Sequence, residues 1–205
     1  MWLDARDLVP GSVASWTDRA SALPFTNGAG LNQPTATAGQ TPAGTIAVKC
    51  DPTGGPQGVR NATLPVLGTR TTYTVARPVS GATFGLLIDS SAGIGQRLQT
   101  SGVPYNLRWA GNLAQNSGFT VSTDAWHTMA MRINQGVANS YHLDGATAAP
   151  QAGETGTQTG LTVGAVNNVS FGGECDYAAV LQYDRVLTLA ELGQLDAWAA
   201  DVFGV

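Results

Sequence analysis

Short segments in which apolar and polar side chains alternate follow one another along most of this chain, and turn residues interrupt them. Thr71-Thr72-Tyr73-Thr74-Val75-Ala76-Arg77, Tyr105-Asn106-Leu107-Arg108-Trp109 and Gly118-Phe119-Thr120-Val121 all repeat with period two, the signature of a strand that buries one face. Ala82-Thr83-Phe84-Gly85-Leu86-Leu87-Ile88 is a more continuous apolar run. Trp126 to Ile133 forms a strong strand that turns at Asn134-Gln135-Gly136. Its partner Ser140-Tyr141-His142-Leu143 ends at Asp144-Gly145, a pair that supplies the positive φ of a hairpin turn. Trp2-Leu3-Asp4-Ala5, the alternation from Val13 to Thr17, Thr45 to Cys50, Leu161 to Gly164 and Tyr177 to Tyr183 add further strands. The Gly-, Pro-, Asn- and Thr-rich stretch from Ala20 to Thr45 reads as a long ordered loop.

Only the tail changes period. Thr188 has the chemistry of a helix cap, with Glu191 three residues on as its reciprocal partner. Leu189, Leu192, Leu195 and Trp198 then recur at three- to four-residue intervals, with Phe203 beyond, which predicts one amphipathic helix packing onto a sheet and covering one edge or end of the sandwich. Only 12% of the 205 residues are charged and 26 are glycine, a composition that excludes a helical bundle or coiled coil. The expected fold is all-β: an antiparallel two-sheet β-sandwich with one C-terminal α-helix, forming a single domain over 1–205.

The charge pattern argues against nucleic acid. Lys49 is the sole lysine, nine arginines are scattered, and the net charge is -4, whereas phosphate binding needs clustered cations. No apolar run approaches the ~20 residues of a membrane span, and the opening Met1-Trp2-Leu3-Asp4 is not a secretory leader. The chain is therefore expected to stay in the cytosol that made it, to leave by lysis, or to be a piece of a longer product. Cys50 and Cys175 are too few to define a disulfide framework and read as two reduced, buried thiols, with one long-range bridge as the alternative. His127 and His142 have no metal-like spacing to them.

Several of these segments resemble a known family. Trp2-Leu3-Asp4-Ala5-x-Asp7-Leu8 and Val13-Ala14-Ser15-Trp16-Thr17-Asp18-Arg19 are similar to the opening of concanavalin A-like, laminin-G-like jelly-roll domains of bacteria and phages. Ile46-Ala47-Val48-Lys49-Cys50-Asp51 matches the family's apolar strand ending in Phe-Asp-Gly, with Cys50 in place of the Phe and Pro52 after the Asp. Trp126-His127-Thr128 through Tyr141-His142-Leu143-Asp144-Gly145 resembles its central hairpin. Leu161-Thr162-Val163-Gly164, Phe171-x-Gly173 and Tyr183-Asp184-Arg185-Val186-Leu187-Thr188 with Glu191 resemble its closing strand and helix. These are packing and turn residues, so the resemblance implies a fold more than a function.

The same sandwich hosts glucanases, which need paired carboxylates about 5–5.5 Å apart. Of the three glutamates, Glu191 belongs to the helix cap and Glu154 to a polar loop. Glu174 and Asp176 share a strand face, but Ala178 or Ala179 stands where a third acid is required, so the pair reads as a solvated strand edge and no hydrolase is expected. Asp124 and His127 are close, yet no serine lies in a Gly-x-Ser-x-Gly elbow. No cofactor is expected; Ca²⁺ is the alternative, with oxygens from Asp51 and Asp89-Ser90-Ser91. Sugar binding, the activity the resemblance implies, needs an aromatic face and a few polar partners. Tyr105 and Trp109 are the candidate stacking residues, with core residues as the other reading, and Asn112 and Asn116 in the following polar loop are the candidate hydrogen-bonding partners.

The resemblance implies a non-enzymatic phage virion surface protein: a capsid decoration, head fibre or minor tail protein. Its expected partners are other virion proteins and host-surface polysaccharide, in a homo-oligomer or bound to a particle. The second expectation is a carbohydrate-binding module of a secreted or cell-surface bacterial protein.

Overall fold

The computed structural model describes residues 1–27, 30–79, 84–89, 97–101, 105–110, 115–153, 155–165 and 172–205. In chain order its strands begin with β1 (Trp2–Asp4), β2 (Gly11–Ser12), β3 (Ser15–Thr17), β4 (Pro24–Thr26), β5 (Thr35–Thr37) and β6 (Ala47–Cys50). Next come β7 (Val59–Asn61), β8 (Arg70–Pro78), β9 (Phe84–Asp89), β10 (Arg97–Ser101), β11 (Tyr105–Ala110) and β12 (Gln115–Val121). The last are β13 (His127–Asn134), β14 (Ala138–Leu143), β15 (Ala146–Thr147), β16 (Gln151–Ala152), β17 (Leu161–Val163) and β18 (Cys175–Tyr183), followed by the helix α1 (Leu189–Phe203).

The strands pair antiparallel in two sheets. A ten-stranded sheet runs β15-β14-β13-β8-β18-β6-β5-β2, with β1 added to β18 and β16 to β14. An eight-stranded sheet runs β12-β11-β10-β9-β17-β7-β4-β3. This is a broadly jelly-roll-like sandwich with one C-terminal helix.

Alternation decides what goes between the sheets. Met129, Met131, Tyr141, Tyr177 and Val180 of one sheet meet Phe25, Val59, Ile88, Leu107, Val121 and Val163 of the other. Trp16 is fully buried here, and its indole N–H donates to the carbonyl of Asp4 at 3.0 Å, as a buried Trp requires. Gly164, at φ +92°, lets the chain turn against Cys50; a Cβ there would sit 2.4 Å from the Cys50 Sγ and 2.7 Å from the Gln57 carbonyl oxygen.

A second apolar layer lies on the far side of the ten-stranded sheet. There Tyr73, Val75, Ala130, Ala178, Ala179 and Leu181 pack against Leu187, Leu192, Ala199 and Phe203. The helix thus lies over the middle of a sheet face, not over an edge or end, because β8, β13 and β18 supply the apolar outward side chains. Leu189, expected on the buried stripe, is 57% exposed. Thr188 and Glu191 form the full capping box, and Gly204 closes the helix at φ 76°. Asp196 docks it: its carboxylate accepts from the Tyr73 hydroxyl at 3.0 Å and lies 2.7 Å from His142 Nε2.

The stretch from Ala20 to Thr45 is not one loop, since β4 and β5 lie within it. Three-residue strands are too short to print a period on the sequence. Asn116 likewise belongs to a strand, β12, and not to a polar loop.

Candidate functional site

The helix shuts one outer face of the sandwich; the outer face of the eight-stranded sheet carries no helix among the described residues. Register identifies what stands on it. Phe25, Val59, Leu161, Val163 and Ile88 point into the core, so their neighbours Thr26, Arg60, Thr162 and Asp89 occupy the outer side. These four stand in one row across β4, β7, β17 and β9, paired Thr26 to Arg60, Arg60 to Thr162 and Thr162 to Asp89. Thr26 is exposed and Arg60 half-buried, whereas Thr162 and Asp89 are fully buried. The Thr162 hydroxyl has no hydrogen-bond partner, and the Arg60 side chain has neither an ion pair nor a hydrogen bond among the described residues. The row is therefore open to solvent at Thr26 and Arg60 and covered at Thr162 and Asp89.

β10, β11 and β12 extend this face. Asn106 stands opposite Ser101 on one side and Thr120 on the other, and Arg108 opposite Gln99 and Asn116. Thr120 and Asn116 are exposed and Asn106 is half-buried. Asn116 Oδ1 accepts from the Gly118 amide at 3.0 Å, and its carbonyl from Gln151 Nε2 at 2.6 Å, leaving its side-chain amide N–H groups toward solvent. Of the sequence candidates, Asn116 therefore falls on the outer face and Asn112 lies outside the described residues. Tyr105 and Trp109 are placed by their backbone. Tyr105 stands opposite the core residue Val121 and Trp109 opposite Leu98, itself opposite the core residue Ile88, with fully buried Leu107 between them. Their positions have the core-facing parity of β11. The row from Thr26 to Asp89 escaped the sequence reading because it exists only once four separate strands are in register.

A cleft of about 570 Å³ opens at another corner, lined by Met1, Trp2, Leu23, Leu64, Leu67, Leu181 and Tyr183 among others. Several of its hydrogen-bonding groups are spent within the fold, whereas the buried Trp2 indole N–H has no hydrogen-bond partner. Asp18 accepts from the amides of Trp2 and Ala20 and from the Ser21 hydroxyl. Gln182 turns inward to Thr72 and Gln158.

The acidic pair differs from its sequence reading. β18 is a central strand, so Asp176 is not a solvated edge residue: its side chain is 3% exposed and takes two guanidinium N–H groups of Arg77, at 2.8 and 2.5 Å. Glu174 is half-buried, and burial first, then the charges of Asp51, Asp176 and Asp124, push its carboxyl above the usual range against the pull of Lys49. An Asp held by Arg at this depth is poorly placed to attack a glycoside. Asp51, a candidate Ca²⁺ ligand, folds back on the Thr53 amide at 2.9 Å. Ser90 and Ser91 lie outside the described residues, among which no three His, Cys, Asp or Glu side chains converge on a metal position.

His127 meets Asp144, not Asp124. Its Nδ1 lies 2.6 Å from Asp144 Oδ2, and its Nε2 lies 2.9 Å from the Ser122 hydroxyl and 3.1 Å from the Ser122 carbonyl. The connectivity, carboxylate to imidazole to hydroxyl, is that of a hydrolase triad. The Ser122 carbonyl only accepts, so it takes the Nε2 proton of the charged ring, whereas Nε2 of the neutral ring accepts from the Ser122 hydroxyl. Burial would lower the imidazole pKa; the Asp144 hydrogen bond and charge, aided by the Ser122 carbonyl, outweigh it and raise the value. While the ring is charged, Nε2 holds a proton and is no base for Ser122. The ring is an ionic clamp between two turns.

No protein-family model matches the chain, and no curated protein sequence matches it. Solved structures match by shape. The sialidase of Trypanosoma rangeli, in complex with 2,3-difluorosialic acid, aligns over 98% of this chain and 33% of its own, at 12% identity and TM-score 0.66. The CBM40 of the Ruminococcus gnavus IT-sialidase, bound to alpha2,3 sialyllactose, aligns over 69% of this chain and 93% of its own, at 13% identity and TM-score 0.54. Domain 4 of an extracellular GH43 arabinanase from Geobacillus stearothermophilus, in complex with arabinotriose, covers 84% of this chain and 80% of its own, at 12% identity and TM-score 0.50. The chain spans about a third of the sialidase's length. Likeness at this identity is likeness of fold.

Proposed function

We propose that this domain is a non-catalytic carbohydrate-binding module whose ligand lies along the outer face of the eight-stranded sheet. The observation that carries this reading is the outward polar side of this sheet, where Thr26, Thr120 and Asn116 are exposed and the half-buried residue Arg60 has no ion pair or side-chain hydrogen bond among the described residues. From Arg60 on β7 to Asn116 on β12 is five strand spacings, about 24 Å. That span suits an oligosaccharide better than a single sugar. The carbohydrate-bound neighbours support the reading and favour a module of a secreted or cell-surface protein over a virion component.

Screening on a glycan array, followed by calorimetry on the hits, tests this directly. Asn116→Ala and Arg60→Ala are expected to weaken binding about tenfold or more. Retention of full affinity by both polar variants would remove the face from consideration. The non-catalytic part predicts no reducing-sugar release from β-glucan, arabinan or sialoside substrates; release abolished by Glu174→Gln would contradict it. Display on a virion is compatible with a glycan-binding module, and detection of the chain by mass spectrometry in purified particles is its test.

A further inference from the structure

We propose that Cys50 and Cys175 are a modification site: folded in oxidising surroundings, the chain joins them in a disulfide that ties the central strand β18 to the outboard strands β6, β5 and β2. The proposal is independent of the carbohydrate-binding reading above. Register supplies the pairing. β6 and β18 run antiparallel, and Cys50 stands directly opposite Cys175. Opposite residues of such a pair lie about 4.5–5.5 Å apart at Cα, and a disulfide spans about 4.4–6.8 Å there. The two side chains also leave the sheet on the same side. Cys175 shares its face of β18 with Tyr177, and Cys50 its face of β6 with Val48; all four belong to the core between the sheets. Gly164 leaves the Cys50 sulfur its space, since a Cβ there would lie 2.4 Å from Sγ. Thiols are weak hydrogen-bonding groups, so bridging the two orphans no strong donor or acceptor in the interior.

The bond would fall on a seam. β8 follows β18 from Cys175 to Tyr183, whereas β6 meets it over Val48 to Cys50, and β5 and β2 hang beyond β6. The oxidant is a small-molecule disulfide such as oxidised glutathione. One cysteine gives up its proton and attacks a glutathione sulfur, forming a mixed disulfide and releasing one glutathione thiol. The other then attacks the protein sulfur of that mixed disulfide, which closes the Cys50–Cys175 bond and releases the second. Two electrons and two protons leave the pair and end on the two glutathione thiols. Attack needs a thiolate, and in the closed fold both sulfurs are sealed, with burial holding them protonated. The exchange therefore belongs to the folding chain or to an opened state, and is slow once the layers have closed.

The test is refolding of the full chain in a mixture of reduced and oxidised glutathione, followed by thiol counting in denaturant, intact mass and peptide mapping without reductant. Expected are no titratable thiols, a mass lower by two hydrogens, and a linked peptide pair containing Cys50 and Cys175. The oxidised chain should melt about 5–15 °C above the same chain in excess dithiothreitol, as expected for a bond that closes so long a loop. Hydrogen exchange at the amides of β5 and β6 should slow with it. Cys50→Ser and Cys175→Ser should each abolish the difference between oxidised and reduced melting. The thiol count and the peptide map decide the matter on the unaltered chain, whether or not those variants fold. Folded, reduced chain given the same mixture should oxidise far more slowly than the refolding chain. Two free thiols per chain after refolding would overturn the proposal, as would a disulfide that joins two chains. A bond that forms without raising the melting temperature or slowing exchange in β5 and β6 would overturn its role as a tie.

Discussion

His127 holds two turns together most strongly while its ring is doubly protonated, when its bond to Asp144 is also an ion pair. Its pKa in the fold is raised above the ordinary value of 6.5 by Asp144, in spite of burial. A group raised in this way contributes stability that is complete below its unfolded pKa and is lost as pH climbs through the folded one. The melting temperature should therefore exceed that of His127→Gln most at pH 5.5–6, and the gap should narrow by pH 9. Titration of the ring by NMR should give a midpoint above 6.5 that drops in Asp144→Asn; a midpoint below 6.5 would contradict the clamp. Gly164 invites a second test at this scale. Gly136 and Gly164 both have positive φ, but a Cβ on Gly136 meets nothing within 4 Å while one on Gly164 strikes sulfur and backbone. Both alanine variants bear the left-handed strain, of about 1–2 kcal/mol. Only Gly164→Ala adds overpacking, of about 1–3 kcal/mol, so denaturant unfolding should separate the two.

Among the elements, α1 depends on its cap and on one half-buried carboxylate. Thr188→Ala removes the hydroxyl that accepts from the Glu191 amide, a loss of about 1 kcal/mol and roughly 2–4 °C in melting temperature. Asp196→Ala strands the Tyr73 hydroxyl and His142 beneath the helix at about 1–3 kcal/mol, and should lower the urea midpoint more than Asp196→Asn does. The helix was legible because Thr188, Glu191 and the Leu and Trp spacing are local signals, and the Asp144-Gly145 hairpin was legible for the same reason. The strands β4, β5, β7 and β10 were not, being too short or too polar to carry a period against their turns. Asn116 was misread as loop because Gly118, at φ +80°, breaks the alternation of β12. The partnership of His127 with Asp144 joins residues 17 apart through two turns, and no spacing rule announces it.

At the scale of the whole molecule, the two outer faces have opposite fates. One is sealed by α1 with an apolar layer, and the other keeps polar side chains in register. Sequence alternation told that a two-faced sheet existed but not which face the helix would take, since that choice follows from the apolar outward residues of β8, β13 and β18 meeting at the centre of one sheet. Loss of affinity on Arg60→Ala without loss of melting temperature is the outcome expected of a binding face; a parallel fall in both would make Arg60 a structural residue. Cys50 and Cys175 stand directly opposite each other across β6 and β18, free and sealed in the interior, with burial first and the charge of Asp176 second keeping both sulfurs protonated. An alkylating reagent reaches neither until the layers part, so its rate of uptake clocks the breathing of the sandwich, and a saccharide that slows that clock would reveal the ligand's grip from the inside.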